Sequence, residues 1–208
     1  MMRGHRKTTF GRRALHSHGS TRRNNRCGTC RVRAEKLEST TSIDRRVEEL
    51  RQLTSGTGNG TQCTPERRAT VEALVQELER SNSNLQPASL PLRNTSWTLL
   101  YSNTSGNSSG KLGPFVGRVT QEFDEQDGFA NTVDLGVLKV TLNARYETKN
   151  DQIIVVRFRD TELCVFGFKL FSKAFERTAV GSWKVTYASS DLRILHSNQD
   201  NLFVLARS

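Results

Sequence analysis

The chain has 208 residues, with 31 Lys+Arg against 21 Asp+Glu and a formal net charge of +10. Ten of the basic residues and none of the acids lie in residues 1–34, which leaves a neutral body of 21 basic and 21 acidic residues from Glu35 onward. A neutral body argues against adhesion to nucleic acid or anionic lipid by charge alone. No run of about 18 apolar residues supplies a membrane-spanning helix.

The Arg-, Ser- and Thr-rich, acid-free segment 1–34 has the composition of an organelle transit peptide, and it contains no apolar run of secretory length. Val32-Arg33-Ala34, just before Glu35, resembles a processing site. A disordered basic tail binding nucleic acid by counterion release is the alternative, and mitochondrial import stays open beside chloroplast import. About 170 residues then remain, enough for one ordinary domain. Cys27-Gly-Thr-Cys30 has metal or thiol-exchange spacing but lacks a second ligand pair and sits in the arm. The distant Cys63 and Cys164 leave open whether they meet.

Residues 35–92 read as helical with a linker. Val47, Leu50 and Leu53 recur at helical spacing within Glu35 to Leu53. The stretch Ser55 to Gly60 breaks that helix and, lacking the Lys-Ser/Thr of a phosphate loop, reads as a flexible connector. Thr64 then caps a second helix with Pro65 at its first position, and Val71, Leu74, Val75 and Leu78 form its apolar stripe. Pro87 and Pro91 follow.

From residue 93 to 208 the period becomes twofold. Trp97, Leu99 and Tyr101 alternate with Thr98, Leu100 and Ser102; Val119 to Phe123, Leu138 to Tyr146 and Trp183 to Tyr187 also alternate, and Ile153 to Phe158 is a β-branched run. Leu192 to Leu195 and Leu202 to Leu205 end the series, while Lys169 to Glu176 fits either a short helix or a strand. Short strands between turns predict an antiparallel barrel or sandwich. Pairing the last strand with the Trp97 strand would remove a sticky edge, which favours the barrel.

Catalysis has little material. His196 is the one histidine outside the arm and reads as solvated beside a polar turn, and Ser108-Ser-Gly-Lys111 lies in a loop where such matches arise by chance. The acidic group Asp124, Glu125 and Asp127 reads as a hairpin turn, and Asn59, Asn94, Asn103 and Asn107 head sequons that matter only on a secretory route. No cofactor or metal is expected. Binding has more: an antiparallel barrel whose lining is Trp97, Leu99, Tyr101, Phe123, Leu142, Phe158, Trp183 and Tyr187 could hold an apolar ligand, although the same side chains could simply fill a core. If Leu192 and Ile194 face inward, Arg193 points outward, where it pairs with Asp191 as a polar anchor at one barrel end.

Gly181-Ser-Trp-Lys-Val-Thr-Tyr187, Asp191-Leu-Arg-Ile194 and Asn201-Leu-Phe-Val-Leu205 together resemble the closing signature of the plastid lipid-associated protein (fibrillin) family. Ser96-Trp-Thr-Leu-Leu-Tyr101 resembles its opening strand, and Arg67 to Arg80 the helix before it. The resemblance spans roughly Ile43 to Leu205. Ser96, Leu195-His196-Ser197 and Asp200 depart from it, standing where the family often has Gly, Arg-Gly and Gly. The resemblance implies a lipocalin-like barrel, plastid residence and association with plastoglobules or thylakoid membranes. It also implies a non-catalytic role in binding or coating lipophiles such as prenylquinones or carotenoids. The expected partners are lipophilic small molecules, plastid lipid surfaces or a plastid protein; nucleic acid is not among them. A soluble scaffold working through the two helices is the alternative function.

Overall fold

The computed structural model describes residues 28–208 except 105, with side chains described from 41 onward apart from 177 and 178. The basic arm before residue 28, including Cys27 and most of the expected transit peptide, lies outside the described residues. Helix α1 runs Gly28–Thr54 and α2 runs Pro65–Arg80. Thr64 accepts a hydrogen bond from the backbone N–H of Arg67, and Pro65 occupies the first helical turn, so α2 starts where its cap chemistry places it. No helix among the described residues is long and apolar enough to cross a membrane.

The segment between the helices is not the flexible connector its glycines suggested. Thr57 is buried and donates to the Thr54 carbonyl at 2.7 Å. The Asn59 side chain donates to the carbonyls of Ser109 and Gly117 at 2.9 and 2.8 Å, and the Asn59 carbonyl accepts from Ser102 N–H at 2.9 Å. These long-range bonds fasten the interhelical loop to the strands.

The strands follow in order: β1 Thr95–Ser102, β2 Lys111–Leu112, β3 Phe115–Val116, β4 Arg118–Phe123, β5 Gly128–Asp134, β6 Leu138–Thr148, β7 Ile153–Val165, β8 Phe168–Ala188, β9 Leu192–Ser197 and β10 Leu202–Arg207. Eight of them form a closed antiparallel barrel in the order β1-β10-β9-β8-β7-β6-β5-β4, and β2 and β3 make a separate hairpin. Closure runs through the expected pairing: Trp97 lies opposite Arg207, and Leu99 opposite Leu205. The ambiguous stretch Lys169 to Glu176 is strand, part of the 21-residue β8.

Two apolar clusters lie on opposite sides of the β1, β9 and β10 wall. Inside the barrel are Trp97, Leu99, Val119, Phe123, Phe129, Val133, Ile154, Val156, Val185, Leu195 and Leu205. Ala88 and Leu92, from the segment after α2, join them and floor the end where β1 begins. Outside, Val47, Leu50, Val71, Leu74, Val75 and Leu78 of the helices pack on Tyr101, Tyr187, Leu192, Ile194, Leu202 and Val204. The apolar stripes of both helices are therefore covered by the barrel wall.

A polar seam completes that contact and corrects the reading of His196 as a solvated residue. Its Nε2 lies 2.7 Å from Glu79 Oε1 on α2, and Thr186 donates to the same oxygen at 2.6 Å. Burial pushes the Glu79 carboxyl up, but hydrogen bonds from His196 and Thr186, helped by the charges of His196 and Lys184, outweigh it and hold the group below its ordinary 4.5. A depressed carboxylate stabilises the fold above its unfolded value, and that stability is lost as pH falls through the folded value. Glu79→Gln should therefore weaken the fold by about 1–2 kcal/mol at neutral pH. It should also flatten the fall in urea midpoint below pH 4.5. An unchanged acid limb in the variant would remove Glu79 as a source of the pH dependence.

Candidate functional site: the barrel interior

The pleat sends alternate residues inward, but two bulges invert that alternation. In β1 the register shifts between Leu99 and Tyr101, so Leu99 faces inward Leu205 whereas Tyr101 lies opposite outward-facing Val204. In β8 it shifts between Val185 and Tyr187, so Val185 lies opposite Leu195 and Tyr187 opposite Ile194. Tyr101 and Tyr187 thus sit beneath the helices, and their expected place in the lining is corrected. Burial, reinforced by a hydrogen bond from the Tyr101 hydroxyl to Glu72 at 3.0 Å, raises the Tyr101 phenol above its ordinary range. The β8 bulge is held from just beyond the end of α2: Asn82 donates to the Thr186 carbonyl at 2.8 Å.

The other predicted lining residues share the interior. Trp97, Leu99 and Phe123 are buried, Phe158 and Trp183 pack against them half-buried, and Leu142 lies half-buried on the inner face opposite Asn131 and Thr161. Phe129 and Tyr146, absent from the predicted lining, complete the aromatic set. Phe123 sits 5.1 Å from both rings, edge-on to Tyr146, and Phe129 meets Trp183 edge-on at 5.2 Å. Their alternation in β5 and β6 was the signal available for them.

Arg193 also points inward, opposite to its predicted direction. Helices cover the outside of β9, so Leu192 and Ile194 face outward onto them and are fully buried, and parity turns Arg193 and Leu195 into the barrel. The expected pairing with Asp191 does not form; Asp191 instead takes Arg51 of α1 at 3.1 Å. Arg193 is 1% exposed, and none of its three guanidinium nitrogens has a hydrogen-bond partner among the described residues. Its guanidinium carbon lies 5.2 Å from the Trp97 ring centroid and 5.6 Å from that of Phe123. Burial pushes the Arg193 group down to about 10, which leaves it charged at neutral pH. Gln121 of β4, opposite Trp97, is buried with an Oε1 that also lacks a partner among the described residues. An apolar interior thus holds an unpaired cation and an unpaired acceptor, both able to meet a polar group entering the barrel.

A depression of about 520 Å³ beside the β4–β5 turn, lined by Glu122, Asn143 and Arg159 among others, and one of about 450 Å³ under the floor, lined by Leu90, Leu92, Arg93 and Tyr146, both lack Arg193 and Trp97. Cys63 and Cys164 are half-buried free thiols.

An eight-stranded up-and-down barrel with an aromatic interior and one floored end is a lipocalin-like architecture. The PAP_fibrillin family model matches residues 45–206, and the chain belongs to that family. Among curated relatives, it is 25% identical over 142 residues to a plastid-lipid-associated protein, chloroplastic, of Citrus unshiu, covering 61% of this chain and 42% of that one. It is 27% identical over 144 residues to the chromoplast-specific carotenoid-associated protein C1 of an Oncidium hybrid cultivar, covering 59% and 44%. It is 27% identical over 146 residues to a light-induced protein, chloroplastic, of Solanum tuberosum, covering 64% and 44%. The matched region thus spans less than half the length of each of these relatives. No solved structure matches the chain.

Proposed function

We propose that the chain is a non-catalytic plastid lipid-associated protein whose barrel takes a lipophile with an oxygen-bearing head group. The observation that carries this reading is Arg193, buried among aromatic rings with no hydrogen-bond partner among the described residues. A ketone, quinone or carboxyl oxygen would satisfy the guanidinium, a hydroxyl could also donate to Gln121, and an isoprenoid or acyl tail would lie along the inner face toward Leu142. Prenylquinones and oxygenated carotenoids have this chemistry. The plastid names of the relatives and the acid-free basic arm support residence in chloroplasts or chromoplasts, at plastoglobules, thylakoids or in the stroma. The domain plan is a cleaved arm over 1–34, a helical segment over 35–92 and the barrel over 93–208. Because both helical apolar stripes already lie on the barrel, lipophile binding is favoured over a scaffold that works through those helices.

Native extraction from plastids followed by mass spectrometry should recover an oxygenated lipophile with the wild-type protein. Arg193→Met should retain roughly tenfold less, the equivalent of one charge-assisted hydrogen bond. A wild-type protein that emerges empty, or a variant that retains the same lipophile equally, would overturn the ligand reading.

A further inference from the structure

Large apolar side chains are concentrated outside the core at one end of the barrel, opposite the floor formed by Ala88 and Leu92. The turn between β7 and β8 is Phe166-Gly167, with φ of 50° and 82°. Two consecutive positive φ values define the hairpin turn that normally selects Asn-Gly or Gly-Gly. A left-handed backbone disfavours a side chain as large as phenylalanine, yet Phe166 is 74% exposed and gains little internal packing in exchange. Phe168, Leu170 and Phe171 follow at 75%, 65% and 51% exposure. The neighbouring β5–β6 turn joins them: Phe166 N–H donates to the Val137 carbonyl at 2.8 Å, and Val137 is itself 55% exposed. From Leu163 to Phe175 the chain carries Lys169 and Lys173 and no acid.

We infer that the paired β5–β6 and β7–β8 turns are a lipid-docking edge that inserts Val137, Phe166, Phe168, Leu170 and Phe171 into the interfacial region of a membrane or lipid droplet. The inference rests on the lipid-association reading but not on a ligand inside the barrel. Exposed aromatics flanked by lysines match the chemistry of a lipid interface, where rings lie at head-group depth and ammonium groups meet phosphate. Lys173 makes no ion pair among the described residues, whereas Lys169 is engaged by Glu162 at 2.6 Å. Apolar insertion therefore dominates, with charge as a minor aid, in keeping with the neutral body. A strand from another protein could pair with the free side of β8, because β9 pairs with it only from Trp183 to Ala188. Such a partner would follow the backbone edge and leave the Phe166 tip uncovered; a lipid surface covers the tip and both strand faces. Docked this way, the floored end and Arg193 stay remote from the lipid.

The test is co-sedimentation of the full chain with phosphatidylcholine vesicles, with and without phosphatidylglycerol, at low and high salt. The wild type should bind both vesicle types and stay bound in high salt. The double variant Phe166→Ser with Phe168→Ser should lose at least about tenfold in partitioning while keeping its thermal midpoint, since both side chains are exposed in the fold. Equal partitioning of wild type and variant, or binding that salt abolishes, would overturn the docking edge. So would a wild type that self-associates through these phenylalanines and ignores vesicles, which would make a second copy the occupant. Vesicle binding without a retained lipophile would uphold docking and remove the ligand reading; a retained lipophile without vesicle binding would do the reverse.

Discussion

Trp97→Ala should lower the unfolding free energy by about 3–5 kcal/mol, a loss of roughly 10 °C or more in thermal midpoint for a chain of this size. Trp97 is fully buried, and it carries the ring surface on which Arg193 lies. Truncation leaves a cavity and removes one of two cation–π contacts from a charge that has no hydrogen bond among the described residues. The two residues should therefore couple. A desolvated guanidinium costs several kcal/mol and recovers on the order of 2 kcal/mol from such a contact. In the ligand-free protein, Arg193→Met alone should range from neutral to about 2 kcal/mol stabilising. In the Trp97→Ala background the same change should recover about 1–2 kcal/mol more than it does alone, because the charge has by then lost half of its support. A double-mutant cycle from urea unfolding checks this. Strict additivity would mean that Trp97 does not hold the Arg193 charge, and the barrel interior would then need another explanation for tolerating it.

The sequence-level reading succeeded where a local rule meets no competitor. Thr64-Pro65 starts α2 as cap chemistry requires, and the twofold period from Thr95 onward produces strands that close on β1 as the edge argument requires. It failed where one residue changes the parity. Trp97, Leu99 and Tyr101 look like one face of a strand, but the register shift after Leu99 turns Tyr101 outward, and the shift after Val185 does the same to Tyr187. No residue type announces either bulge; at Thr186 the bulged carbonyl is taken by Asn82 and the side-chain hydroxyl by Glu79, about a hundred residues earlier. Arg193 was misdirected for a related reason. Alternation assigns a face only when one side of a strand is wet, and Leu192 to Leu195 are buried on both sides. With apolar partners available inside and out, polarity could not say which way the arginine points. The exposed phenylalanines around Gly167 were equally silent, since an apolar strand reads as core until its neighbours are known.

The interhelical loop offers the sharpest test of the fold outside the barrel. Gly60 adopts φ of +94°, and a Cβ there would collide with the Ser102 carbonyl oxygen and meet the Tyr101 ring at 2.9 Å. Gly56, in the same loop at φ of +68°, has nothing within 4 Å of the equivalent position. Gly56→Ala therefore carries backbone strain alone, about 1 kcal/mol. Gly60→Ala adds a clash with backbone that cannot yield without moving the end of β1, and it should cost about 3–4 kcal/mol. Displacing Tyr101 would also disturb its bond to Glu72 and open the contact of α2 with the barrel wall. Paired urea titrations of the two variants isolate the clash from the strain. A gap of at least about 2 kcal/mol is expected, and equal losses would mean that the loop is a tether after all, with the helices held on the barrel by their apolar stripes alone.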